Sequence, residues 1–155
     1  LGTHARNLMR VYPDWFKNTP QCSLLYLIGL FDRAVTLQNL QTLCSNETID
    51  SLTSELASFT NSEWRYAISN LKDANLVSVD QRGNDLIIDC HPLVRHYIND
   101  YLATEHKELW GKGHGLIFRH LQQAAVGDPS NMRELEPLFR AVIQGSQAGL
   151  YVEAF

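Results

Sequence analysis

Residues 61–100 read NSEWRYAISNLKDANLVSVDQRGNDLIIDCHPLVRHYIND, and the change of pattern within this stretch decides the fold. In its first part the apolar residues recur every three or four positions, which predicts a helix over 62–75. Asn61, Ser62 and Glu63 form a capping signal at its start, because they offer polar cap candidates and an acid in the first turn.

The second part of the stretch changes to a period of two. Residues 76–80 and 85–89 alternate apolar and polar side chains, and the QRGN between them is typical of a turn, so the sequence predicts a β-hairpin. His91 ends the second strand. Pro92 suits the first turn of a further helix, which continues to about Leu102.

Helical segments also precede this stretch. Thr19-Pro20 opens a helix that ends at Gly29 and carries apolar residues on nearly every side, which is typical of a central, buried helix. Residues 36–44 and 49–59 have helical spacing as well. A run of helices followed by a hairpin and one more helix, over residues 20–103, is the order of a winged helix, with the hairpin as the wing.

The flanking regions are helical too, so we expect a mainly α fold. A helix is predicted over 3–17 and a long one at about 105–126, in which the alternate glycines of 111–115 indicate a kink or a close helix contact. Asp128-Pro129 then breaks the chain. The last segment predicts a helix, a turn at Gly149 and the start of another helix.

Composition excludes several classes of function. The chain has 155 residues, of which 45% are hydrophobic and 19% charged, so it is about one domain's worth and not a disordered tail. The net charge of −4 disfavours a general nucleic-acid binder, because contacts with phosphates need an excess of Lys and Arg.

Cysteines and apolar runs indicate the compartment. Cys22, Cys44 and Cys90 are odd in number and widely spaced, which predicts neither a disulfide framework nor a cysteine zinc site, and fits a reducing cytoplasm. No apolar run approaches the ~18 residues that span a bilayer, so no membrane partner is expected. The chain starts without an initiating Met or a signal peptide and stops in the opening of a helix, so we expect it to be a piece of a longer protein.

The sequence has no P-loop, GxGxxG, HExxH or nucleophile elbow, so the chain is not expected to be an enzyme. Five of its six histidines lie between residues 91 and 120, at spacings that do not bring pairs onto one helical turn. We therefore expect structural or surface histidines and no metal site.

His91 is the sharpest local signal, because it lies where a strand ends and a helix begins. Helix N-termini favour anions, and a histidine there can donate a hydrogen bond to a phosphate. A purely structural histidine is the alternative reading of the same position.

The helix 62–75 lies where a DNA-binding winged helix carries its recognition helix. The side chains expected on its exposed face are Glu63, Arg65, Tyr66, Ser69, Asn70, Lys72 and Asp73. The charges of the two bases and two acids cancel, and the wing adds only Arg82 against Asp80 and Asp85. Because phosphate contacts need a basic excess, packing against neighbouring domains is favoured over DNA binding.

Several runs of the sequence resemble one family. LLYLIGLFDRAV (24–35), EWRYAISNLKDANLV (63–77) and CHPLVRHYI (90–98) are similar to the winged-helix domain of STAND-class signalling ATPases, the NB-ARC and NACHT-like regulatory NTPases. The later runs ELW…GHGLIFRHLQ and LEPLFRAVIQGSQAGLYVEAF resemble the segment that joins that domain to tetratricopeptide repeats in bacterial members.

In that family the histidine between strand and helix belongs to a Met-His-Asp motif, contacts the β-phosphate of bound ADP and holds the protein closed. His91 is the matching residue, with Cys90 at the Met position and Pro92 at the Asp position. The resemblance therefore implies that His91 senses a nucleotide phosphate. The side-chain contact that the family's Asp would make is absent, because Pro92 occupies that position.

The resemblance also implies a domain plan. Residues 1–18 would end a preceding helical domain, residues 19–103 would form the winged helix, and residues 104–155 a helical linker and a truncated TPR-like helix pair. The partners implied are the nucleotide-binding domain and the TPR repeats of the same chain. ADP or ATP with Mg would belong to the parent ATPase and not to this segment.

The function implied is thus a non-catalytic regulatory winged-helix segment that holds the ADP-bound, closed state of a cytoplasmic signal-transduction switch. A DNA-binding winged helix of a transcription regulator is the first alternative. The second is a repeat scaffold without nucleotide control, and an ordinary helical hairpin remains the alternative to a repeat at 137–155.

Overall fold

A computed structural model of the chain describes residues 19–125 and 131–151. The helix expected over 3–17, the domain end at 1–18 and the break at Asp128-Pro129 lie outside the described residues. The chain divides into two units, with the boundary between Tyr101 and Leu102.

The first unit is mainly helical, with one small sheet. Its elements are helix α1 (Pro20–Leu30), strand β1 (Val35–Thr36), helix α2 (Leu37–Asn46), a 3-10 turn (Leu56–Ser58), helix α3 (Asn61–Asp73), strands β2 (Val77–Arg82) and β3 (Asp85–Cys90), and helix α4 (Pro92–Glu105), which belongs to this unit up to Tyr101. The mainly α class and the hairpin are confirmed.

Helix α1 lies in the core of this unit, as its sequence predicted. Pro20 occupies the start of the helix, where the missing N–H costs no hydrogen bond. The buried residues of α1 are Cys22, Ser23, Leu24, Leu25, Leu27, Ile28, Gly29 and Leu30. The Asn99 amide of α4 donates to the Gly29 carbonyl over 2.7 Å, which ties α4 to the end of α1.

The helix predicted over 49–59 is wrong: this segment is a series of turns that ends in the 3-10 turn. The Thr53 hydroxyl donates to the Glu47 carbonyl over 2.9 Å and accepts from the Ile49 N–H over 2.7 Å, so a side chain satisfies backbone groups that a helix would use. Ser51 adopts a left-handed φ of 64°, which interrupts a right-handed helix. The apolar residues Ile49, Leu52 and Leu56 are nevertheless buried.

Helix α3 begins one residue earlier than its predicted capping signal. Thr60 is the N-cap: its hydroxyl accepts from the Glu63 N–H, and the Glu63 carboxylate accepts from the Thr60 N–H over 2.7 Å. Asn61 and Ser62 therefore lie inside the first turn, and the acid expected there is Glu63. The predicted buried face is confirmed by Trp64, Ala67, Ile68 and Leu71.

The sheet contains the predicted hairpin and one strand that the sequence did not indicate. Strands β2 and β3 pair antiparallel around a turn at Gly83 and Asn84, which is two residues shorter than expected. Gly83 has a φ of 60°, a conformation that suits glycine at the first position of a tight hairpin turn. Strand β1 pairs with the other edge of β3, so β3 is central in the order β1-β3-β2.

The second unit consists of helical structure in its described residues. After the end of α4, helix α5 (Lys107–Ala124) confirms the long helix predicted at about 105–126, and helix α6 (Met132–Ala148) follows. Gly149 ends α6 with a φ of 78°, as the predicted turn requires. Of the helices in the described ranges, none is both long and apolar enough to cross a membrane.

Candidate functional site

The candidate site lies at the junction of β3 and α4. His91 is the single residue between Cys90, the last of the strand, and Pro92, the first of the helix. The strand ends there because proline cannot continue the ladder of backbone donors, and its fixed φ suits a helix start. The Cys90 side chain is buried, whereas that of His91 is exposed.

His91 caps helix α4 with its own side chain. Its Nδ1 accepts a hydrogen bond from the Leu93 N–H over 3.2 Å, and its carbonyl accepts from the Arg95 N–H over 3.0 Å. Because Nδ1 is the acceptor, a neutral His91 ring carries its proton on Nε2. The ring nitrogen that does not cap the helix is therefore a hydrogen-bond donor.

The backbone of this helix start offers few donors to an anion. Pro92 has no N–H, and the N–H groups of Leu93 and Arg95 are already bonded to His91. An anion at the N-terminus of α4 would thus be contacted by side chains, and chiefly by the imidazole, more than by free backbone amides.

Arg95 and Asp89 lie beside His91, and neither was predicted from the sequence to belong to the site. Arg95 is one helical turn after His91 and therefore shares its side of α4. Its Nη2 contacts Asp89 Oδ1 of β3 over 2.5 Å, and its side chain is 19% exposed against 44% for Asp89. The spacing of four from His91 was the signal that could have indicated Arg95. This ion pair leaves little uncompensated charge next to the imidazole.

The surface expected for DNA contact is exposed, with two exceptions. On α3 the side chains of Glu63, Arg65, Tyr66, Ser69, Lys72 and Asp73 are exposed, and Asn70 is half-buried. In the hairpin Asp80 and Arg82 are exposed and Asp85 is half-buried. Acids and bases alternate over this surface without a basic excess, so it lacks the charge that phosphate contacts need.

The remaining chemistry-bearing residues do not form a second centre at this junction. Within 19–125 and 131–151, no group of three or more His, Cys, Asp or Glu side chains could hold a metal ion. The three cysteines are free thiols in buried positions. Burial raises the pKa of the Cys44 thiol to about 12 and that of Cys90 to about 11, so both are protonated near neutral pH.

Comparison of the chain with known protein families, with curated proteins and with solved structures gives no match.

Proposed function

We propose that the chain is the regulatory winged-helix segment of a STAND-type ATPase switch, in which His91 contacts a nucleotide phosphate and stabilises the ADP-bound, closed state. The observation that carries the proposal is the exposed His91 imidazole, whose Nδ1 caps α4 over 3.2 Å. This cap holds the ring at the helix start and leaves Nε2–H to donate to a phosphate oxygen.

The order of elements supports this proposal. The helices α1 to α3, the β2–β3 hairpin and α4 follow one another as the parts of a winged helix do, and β1 pairs with β3 at the edge opposite β2. The α5 and α6 helices pack against each other, as expected of the first pair of a helical repeat.

The side chains at the junction provide enough hydrogen-bond donors to contact one side of a phosphate. His91 supplies one donor, and Arg95 is engaged with Asp89. The remaining contacts of a nucleotide would come from the nucleotide-binding domain of the same chain, where Mg and the hydrolytic groups would also lie. Pro92 supplies no carboxylate, so the contact from this segment rests on His91.

The energetic effect of such a contact is that of one hydrogen bond to a charged group. Such a bond contributes about 1.5–3 kcal/mol, which changes an equilibrium by roughly 10- to 150-fold. A ligand shifts a conformational equilibrium only by its differential affinity for the two states. ADP bound between the ATPase domain and His91 would therefore favour the closed state by up to this factor.

The first prediction concerns the nucleotide in the full protein that contains this chain. We expect the purified wild type to carry stoichiometric ADP, measured by denaturing extraction and chromatography. His91→Ser should release ADP roughly 10- to 150-fold faster, because serine also caps helices but cannot supply the imidazole Nε2–H. The 155-residue chain alone should not turn over ATP, since it has no P-loop.

Two controls separate sensing from folding. His96→Asn changes an exposed histidine of α4 outside the junction and should keep the wild-type rate of ADP release. His91→Ala removes both the cap and the donor. If His91→Ala releases ADP faster but His91→Ser does not, His91 only stabilises the helix and the sensing role is wrong. A wild type without nucleotide contradicts the switch, and a salt-dependent DNA titration then tests the DNA-binding alternative.

A further inference from the structure

The α5–α6 pair contains a buried histidine that the proposed function does not use. His114 of α5 and Gln144 of α6 are each 1% exposed. Their side chains meet directly, with His114 Nδ1 2.5 Å from Gln144 Oε1. The ring of Trp110 packs edge-on against the imidazole, with the ring centroids 4.7 Å apart.

The hydrogen bond to Gln144 determines how the ring can hold its protons. Because Gln144 Oε1 accepts, Nδ1 is the donor, and in the neutral ring Nε2 carries no proton. Among the described residues, Nε2 of His114 is buried without a hydrogen-bond partner. Protonation would place a charged N–H group at this buried position without an acceptor among the described residues.

The charged groups around the helix pair do not compensate such a charge. Arg119 of α5 lies beside Gly115, and Arg140 of α6 lowers the pKa of His120 by repulsion, in addition to the larger effect of burial. For His114 the pKa is lowered by burial, and the bond to Gln144 opposes this in part. No described carboxylate contributes to the pKa of His114.

The residues on either side of His114 in α5, Gly113 and Gly115, are buried, so the closed pair has little room to relax around a charge. A Cβ added at Gly115 would be at ordinary contact distance, 3.8 Å from the Cβ of Ala148 at the end of α6. Water can reach Nε2 only if the helices separate.

We propose that His114 makes the α5–α6 pair a pH-sensitive clasp, which is closed while the imidazole is neutral and opens when it is protonated. The proposal goes beyond the nucleotide-sensing function and does not rest on it. Opening would uncover the buried faces of α5 and α6, including Ile117, Leu121 and Ala141.

The direction of the pH dependence follows from the two states. The closed state lowers the pKa of His114 below its ordinary value of 6.5, whereas the open state restores it. The stability of the closed pair is therefore fully present above about pH 6.5 and is lost as the pH falls below that value. At about pH 5 the closed-to-open equilibrium constant should be lower than at neutral pH by at most roughly 30-fold. This maximum applies if the closed state takes up no proton.

The second prediction is tested by amide hydrogen exchange on the full 155-residue chain at about pH 7.5 and about pH 5, after correction for intrinsic exchange. Protection of the amides of α5 and α6 should fall more than about threefold at the lower pH in the wild type. His114→Asn keeps a donor for Gln144 and cannot titrate, so its protection should not fall. Helix α1 of the first unit serves as the internal reference.

Two further variants keep the test decisive if His114→Asn folds poorly. Gln144→Glu places a carboxylate against Nδ1, which favours the protonated ring, so the loss of protection at low pH should shrink. His120→Asn removes the other histidine whose pKa is lowered and should leave most of the loss in place. The proposal is overturned if the wild type shows no fall, or if His120→Asn abolishes the fall while Gln144→Glu does not change it.

Discussion

The two nitrogens of the His91 imidazole have different partners. Nδ1 accepts the Leu93 N–H of the helix it precedes, and only Nε2 remains for a ligand. The sequence indicated that a histidine follows a strand and precedes a helix, which is enough to name the residue. It did not indicate the capping bond, because that bond depends on the rotamer of the side chain. The role of His91 toward phosphate stays a prediction.

Gly29 is a residue at which the packing, and not the backbone conformation, requires glycine. A Cβ there would lie 2.8 Å from both Cδ1 and Cγ2 of Ile98, whose side chain is 1% exposed and cannot move aside. Gly29→Ala should therefore lower the free energy of unfolding by about 1–3 kcal/mol, measured by urea denaturation. This is the third prediction.

Gly111→Ala is the matched control for Gly29→Ala. It makes the same substitution inside α5, where a Cβ meets no described atom within 4 Å. Because alanine has a higher helix propensity than glycine, the free energy of unfolding of this variant should rise by up to ~1 kcal/mol. Equal stability of the two variants would mean that α4 does not hold Ile98 against α1.

Among the elements, α3 has the most explicit start signal. Thr60 and Glu63 form a reciprocal capping box, and Glu63 Oε2 also accepts from the Thr60 hydroxyl over 2.8 Å. The fourth prediction is that Thr60→Ala lowers the free energy of unfolding by about 1 kcal/mol, whereas Thr60→Ser stays within a few tenths. Urea denaturation at about pH 7 measures both.

The same capping box has a defined pH dependence. The hydrogen bonds from the Thr60 N–H and hydroxyl lower the pKa of the Glu63 carboxyl from its ordinary 4.5. The contribution of the ionised Glu63 carboxylate to stability is therefore present above about pH 4.5, and it is lost as the pH falls through the lowered pKa. The difference between the wild type and Thr60→Ala should narrow in acid, and an undiminished difference would show that Glu63 takes no part.

The elements that the sequence did not predict correctly share a cause. Residues 49–59 have helical apolar spacing, but the Thr53 hydroxyl captures the Ile49 N–H and so favours a turn. Strand β1 has two residues and forms only because β3 offers it a free edge. Neither the captured backbone group nor the free edge is visible in local periodicity.

For the molecule as a whole, the three cysteines report on the integrity of the first unit. They are buried on α1, α2 and β3, and burial raises the pKa of each thiol. Since the thiolate is the reactive form, we expect the native chain to resist a thiol reagent at about pH 8. This is the fifth prediction.

A urea series followed by mass spectrometry measures the thiol protection. All three thiols should become reactive at the same urea concentration, because one core covers them. The fully denatured chain, in which each thiol reacts, is the control. Rapid labelling of any one cysteine in native buffer would mean that its element opens separately from the rest of the unit.

The sequence alone determined what depends on local order along the chain. Helices α1, α2, α3 and α5, the β2–β3 hairpin, the helix that starts at Pro92 and the residue at the strand–helix junction were predicted, because spacing, proline and glycine act on neighbouring residues. Only the tertiary structure decided the third strand, the Arg95–Asp89 pair and the burial of His114 against Gln144. These depend on which distant side chains meet, and His114 and Gln144, thirty positions apart, meet only once α5 and α6 have packed.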